Sequence, residues 1–94
     1  MNWEGMFSMT VGIVGLGLIG GSFAKAYSEN DEHRVYAYDI NDQVMRDAYN
    51  MKIAEGELNE TTIGSCDLIL LALYPQASVD YLKNNAMHIS PNTV

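Results

Sequence analysis

Residues 10–22, TVGIVGLGLIGGS, restrict what this chain can fold into more than any other stretch does. Val11, Ile13 and Val14 form an apolar run too short for a helix, and it meets Gly15, Gly17 and Gly20. From Leu18 onward, apolar residues return at helical spacing through Ile19, Phe23 and Tyr27. The reading is a strand, a glycine turn and a helix. At G-x-G-x-x-G spacing, Gly15 permits a tight turn, Gly17 lets the backbone approach a pyrophosphate, and Gly20 allows close packing of helix on strand. The free N–H groups at the helix start then face the anion. Glycine-rich turns are common, so the context carries the argument. A second strand-like run, residues 34–38, ends in Asp39, and an acid about 20 positions past the glycines is what hydrogen bonding to adenosine ribose hydroxyls requires.

The rest of the chain extends this pattern. The first strand, residues 10–14, is nearly all apolar, as a central parallel strand buried on both faces would be. The first helix spans residues 18–29 and stops at the turn formers Asn30 and Asp31. Val35, Tyr36 and Tyr38 favour the second strand. Asn41 or Asp42 can cap a second helix, which places Val44, Met45, Ala48 and Tyr49 at helical spacing and ends near Met51. Lys52, Ile53 and Ala54 make at most a short third strand, and residues 61–65 a single helical turn. Residues 67–73 are the most hydrophobic segment; their length and the following Pro75 favour a strand. A helix over residues 76–85, a loop over 88–92 and a strand start at Thr93 and Val94 complete the chain.

Alternating strands and helices imply a parallel sheet with right-handed crossovers, a doubly wound α/β (Rossmann) fold with strand order 3-2-1-4. Such a fold has six strands in two halves, and here a fifth would only begin. The expectation is therefore a fragment: residues 10–94 as an incomplete dinucleotide-binding domain, preceded by a leader at residues 1–9, with any substrate domain absent. The leader carries Trp3, Met6 and Phe7 without periodicity, and it reads equally as disorder, an appended remnant or a strand extension.

Composition excludes several functions. With 94 residues, 48% of them hydrophobic and 18% charged, the chain is one globular domain. No apolar run approaches the roughly 18 residues that span a bilayer, and the N-terminus lacks a positive secretory region, so a cytoplasmic location is expected. A net charge of −7 without a Lys/Arg cluster offers no footprint for nucleic acid or an anionic membrane. The lone Cys66 excludes an internal disulfide and a multi-cysteine metal site, and it reads as a small buried hydrophobe. No metal site is expected.

Gly15-Leu16-Gly17-Leu18-Ile19-Gly20-Gly21-Ser22 is more specific than the glycine pattern alone. Together with Tyr38-Asp39 and the later segment from Cys66 and Asp67 to Leu73, Tyr74 and Pro75, it resembles the N-terminal cofactor domain of prephenate dehydrogenases and their arogenate-using relatives. The resemblance covers residues 10–94. It implies an oxidoreductase of tyrosine biosynthesis that oxidises and decarboxylates a cyclohexadienyl substrate and passes hydride to NAD or NADP. It further implies that Gly15, Leu16, Gly17, Leu18, Ile19 and Gly20 form the pyrophosphate turn and that Asp39 takes the ribose. Leu73, Tyr74 and Pro75 would lie beside the dinucleotide, at the carboxyl end of the fourth strand. For Tyr74, a partly buried aromatic closing the loop is an equal reading. The Asp39 carboxylate would repel a 2′-phosphate, and Ile40, Asn41 and Asp42 supply no cation to hold one, so NAD is preferred.

The family's catalytic histidine, its supporting serine and the substrate-binding arginines lie beyond the region covered. His33, in a turn, and His88, in a loop, read as solvated rather than as a general base. The fragment is thus expected to lack turnover and catalytic residues of its own. Two alternatives remain: the cofactor domain of another hydroxy- or imino-acid dehydrogenase, or a free-standing nucleotide-binding module. In either case an apolar strand edge at residues 67–73 would be a template for pairing, and a homodimer or larger assembly is expected there.

Overall fold

The computed structural model describes residues 9–29 and 33–94. The leader therefore lies outside the described residues, apart from Met9. Four parallel strands form one sheet in the order β3-β2-β1-β4. They are β1 (Thr10–Val14), β2 (Arg34–Tyr38), β3 (Gly56–Glu57) and β4 (Leu68–Leu71); α1 (Leu18–Ser28) and α2 (Asp42–Asn50) follow the first two, and α3 (Pro75–Asn85) follows β4. This is the expected strand order.

Alternation of side chains across β1 sends successive residues to opposite faces of the sheet. On one face Val11 and Ile13 meet Val35 and Ala24 of α1, while Ala37 joins Ala48 of α2 and Ala54. On the other, Val14 packs with Leu58, Ile63 and Cys66, and Tyr81 of α3 covers their flank. Helices on both faces make the sheet doubly wound. The centre is closed tightly, with Val11 and Ile13 fully buried, whereas α3 buries none of its side chains completely.

Several features differ from the sequence reading, among them the fourth strand, which is Leu68–Leu71 rather than residues 67–73. The third strand is Gly56–Glu57, not residues 52–54. Lys52 takes a left-handed φ of 58°, and the amides of Ile53 and Ala54 turn back onto the Ala48 carbonyl, so these residues finish α2 before a strand can start. A 3-10 turn, Ala86–His88, follows α3 and takes in His88, the first residue of the loop expected over 88–92. At β4, the Val94 N–H donates to the Asp67 carbonyl and the Ile69 N–H donates to that of Val94, both at 2.9 Å. The expected free edge over 67–73 is therefore already paired at its start.

Candidate nucleotide site

β1 and β2 run side by side in register from Thr10 with Arg34 to Val14 with Tyr38, so their carboxyl ends open at the same level. There the chain must leave β1 sharply. Gly15 does so with φ of 92°, where a Cβ would also stand 2.5 Å from the Ala72 carbonyl oxygen. Gly20, in the first turn of α1, lies so close to the Gly15 carbonyl that a Cβ would overlap it. Gly17 between them has open space on its side-chain side. The three glycines thus have different physical reasons: a backbone angle, a close approach and a clear path.

Gly17 caps α1 with no side-chain oxygen, and no acid stands in the helix's first turn. The first amides of α1 consequently have neither an intrahelical acceptor nor a capping side chain, and no acidic residue of the helix itself offsets the positive end of its dipole. Asp39 follows β2 directly. Its Oδ2 accepts from the Leu16 N–H at 2.9 Å and its Oδ1 from the Asn41 N–H at 2.9 Å. The Leu16 amide, expected to face a phosphate, is therefore committed to Asp39, and the amides left to the anion begin at Gly17.

Above these groups lies a cavity of about 680 Å³, lined by Gly15, Gly17, Gly20, Asp39, the residues from Leu71 to Tyr74, and Ala77. Asp39 lines it, and among the described residues no atom comes within 4 Å of where a Cβ on Gly17 would stand. Tyr74 is 87% exposed on its lip, which removes the alternative of a partly buried aromatic closing the loop. Leu73 lines the wall, and Pro75 opens α3 just behind. Ile40, next to Asp39 in the chain, is 88% exposed. A cradle of uncapped amides, a clear glycine and an acid with spare lone pairs fits a dinucleotide.

The histidines lie elsewhere. His33 is half-buried before β2, where its Nδ1 accepts from the Met9 N–H at 3.1 Å and its ring meets Tyr27 edge-on. It is a structural residue rather than a solvated one. His88 closes the 3-10 turn after α3. Neither lines the cavity. Cys66 is buried, and burial first, then the Asp67 charge, pushes its thiol up to about 11. Among the described residues no group of three or more His, Cys, Asp or Glu could hold a metal ion, and no helix is long and apolar enough to cross a membrane.

The glycine turn, the acid ending β2 and the cavity between them define a nucleotide-binding Rossmann domain of the dehydrogenase type. The family model described as the NAD binding domain of 6-phosphogluconate dehydrogenase matches residues 10–94, and the chain belongs to that family of NAD-binding domains. No curated protein matches the sequence. Among solved structures, the chain is similar to Synechocystis arogenate dehydrogenase, with a TM-score of 0.82 and 23% identity over 92% of this chain and 31% of that one. It is also similar to prephenate dehydrogenase from A. aeolicus in complex with hydroxyphenyl propionate and NAD+, with a TM-score of 0.78 and 28% identity over 90% of this chain and 31% of the other. A Streptomyces aurantiacus imine reductase shares the fold at a TM-score of 0.68 and 22% identity, covering 84% of this chain and 28% of the reductase. The chain thus spans less than a third of the length of these proteins.

Proposed function

We propose that this domain holds NAD for a dehydrogenase that oxidises and decarboxylates prephenate or arogenate, with substrate bound by a further domain of the complete protein. The observation that carries the reading is the open cavity joining the uncapped start of α1 to Asp39. The 28% identity to a prephenate dehydrogenase bound to NAD+ supports it. In this reading Gly17, Leu18, Ile19 and Gly20 present the pyrophosphate amides, with Gly15 and Leu16 shaping the turn. Asp39 takes the ribose hydroxyls, and Leu73, Tyr74 and Pro75 flank the dinucleotide. A carboxylate at the ribose disfavours NADP. When bound, the nicotinamide ring supplies the hydride acceptor, and this chain's residues supply placement. None of them is assigned a catalytic role. A cytoplasmic homodimer is part of the proposal.

A second reading, another hydroxy- or imino-acid dehydrogenase, is favoured by the family match, whose description concerns 6-phosphogluconate dehydrogenase. Calorimetric titration with NAD, NADP and ADP-ribose tests the cofactor assignment. NAD and ADP-ribose should bind with similar, weak affinity, and NADP more weakly still. No binding overturns the reading, and a large advantage of NAD over ADP-ribose would show that the nicotinamide half is also gripped. Turnover of prephenate or arogenate by the complete protein, against its absence with 6-phosphogluconate or imines, separates the two substrate readings.

A further inference from the structure

We infer that Asp39 latches the glycine turn in its anion-receiving shape, so that one side chain sets both the ribose and the pyrophosphate subsites. The inference rests on the reading of the cavity as an NAD site.

Two consecutive residues at the end of β2 hold two consecutive amides of the turn. The Tyr38 carbonyl accepts from the Gly15 N–H at 2.8 Å, continuing the sheet ladder, and the Asp39 carboxylate accepts from the Leu16 N–H at 2.9 Å. Only the second of these depends on a side chain. Beyond Leu16 the turn has a single residue before α1, and Gly17 contributes no capping side chain. Besides the packing of the Leu16 side chain against Ala37, Ala48 and Ala54, the Asp39 bond is thus the side-chain hydrogen bond that holds the turn among the described residues before the helix begins. It is partly buried and charge-assisted, which makes it stronger than a neutral amide pair. The carboxylate is itself held from the other side, since Oδ1 accepts from the Asn41 N–H at the cap of α2. Each carboxylate oxygen is thus held by the backbone of a different loop.

The latch and ribose binding are compatible. An ionised carboxylate has about four lone-pair sites, and the two amides use one on each oxygen, which leaves one on each for a hydroxyl. A 2′-phosphate is disfavoured on two counts. It is repelled by the charge, and moving Asp39 aside to admit it releases Leu16 as well. Loss of the latch frees one or two turn residues, an ordering cost that any ligand using the turn must then meet, so affinity falls about tenfold even without a ribose contact.

The test compares ADP with 2′,3′-dideoxy-ADP on the chain itself and its Asp39→Asn and Asp39→Ala variants, by calorimetry. If Asp39 only grips the ribose, both variants weaken ADP and leave dideoxy-ADP unchanged, or tighten it because a negative charge near the diphosphate has gone. If Asp39 latches the turn, dideoxy-ADP also weakens, by about tenfold in Asp39→Ala and by less in Asp39→Asn, whose carbonyl can still accept one amide. Unchanged or tighter dideoxy-ADP binding overturns the latch. Hydrogen exchange of the unliganded, unsubstituted chain gives an independent reading that survives a variant's failure to fold. The Leu16 amide should exchange more slowly than that of Gly17, and equal rates would overturn the latch. Failure of the unsubstituted chain to bind ADP would instead reject the cavity assignment, leaving the exchange rates to decide the latch.

Discussion

At residue scale the three fingerprint glycines are separable by experiment, because only one of them faces empty space. A methyl at Gly20 meets the Gly15 carbonyl, and backbone atoms do not yield as a flexible side chain does. Gly20→Ala should destabilise the fold by about 1–3 kcal/mol, measured by urea denaturation. Gly17→Ala meets nothing within 4 Å and keeps an ordinary negative φ, so its effect on stability should be about 1 kcal/mol or less, the cost of a poorer N-cap. Its effect on NAD binding should be large, since the new methyl occupies the path by which a phosphate would reach the first amides of α1. A Gly17→Ala variant that binds NAD as well as the unsubstituted chain would contradict that placement. Cys66 gives a second prediction. Burial raises its thiol from 9.0 to about 11, so below pH 9 the group is neutral in both folded and unfolded chains and the contribution is intact. As pH rises from about 9 towards 11 the unfolded thiol ionises first, and stability falls over that window. Cys66→Ala should reduce this alkaline loss in denaturation midpoints, leaving the share due to Tyr49 and Tyr81, whose hydroxyls burial also pushes up.

At the scale of elements, α2 illustrates what could be read in advance and what could not. The Asn41 side chain accepts from the amides of Gln43 and Val44, at 2.9 and 3.2 Å, so residue type located the cap, and the structure decides for Asn41 over Asp42. Asn41→Ala should lower stability by about 1 kcal/mol, or the melting temperature by about 4–8 °C for a domain of this size. NAD affinity should change little, because the Asn41 backbone N–H that holds Asp39 remains. A large loss of affinity at unchanged melting temperature would refute this division of labour. β1 was legible because a central parallel strand is buried on both faces and therefore nearly all apolar, and β2 because the β-favouring Val35, Tyr36 and Tyr38 stand between the charged Arg34 and Asp39. β3 was not, because its two residues, Gly56 and Glu57, have no hydrophobic pattern and are defined by backbone pairing with Tyr36 and Ala37. The glycine turn and its acid were likewise legible, since chemistry dictates the residue types. The bond from Leu16 to Asp39 was not, because a side chain reaching a main-chain amide 23 positions away leaves no periodic trace.

At the scale of the whole molecule, the sheet is closed on one side and open on the other. β3 ends the sheet beside β2 with only two residues, too short to recruit a partner strand. β4 is longer and apolar, yet every one of its residues keeps partial exposure. Tyr74, Val79, Leu82 and Met87 are exposed in or next to α3, beside it. Pairing along this edge must begin past the point where Val94 already engages Asp67 and Ile69. Since the Ile69 amide points outward to Val94, alternation along the strand turns the Leu71 amide outward too. A homodimer built on this edge would satisfy that amide and cover the apolar side chains of α3 in the same step. Sedimentation velocity over a wide concentration range should then show a monomer–dimer equilibrium, and exchange of the Leu71 amide should slow as the dimer forms. Burial of apolar surface would drive such an association, so moderate salt should leave it intact, although a chain of net charge −7 repels its own copies at low ionic strength. A monomer at every concentration and salt would exclude edge pairing. A dimer in which Leu71 exchanges as fast as in the monomer would place the contact on the α3 face instead.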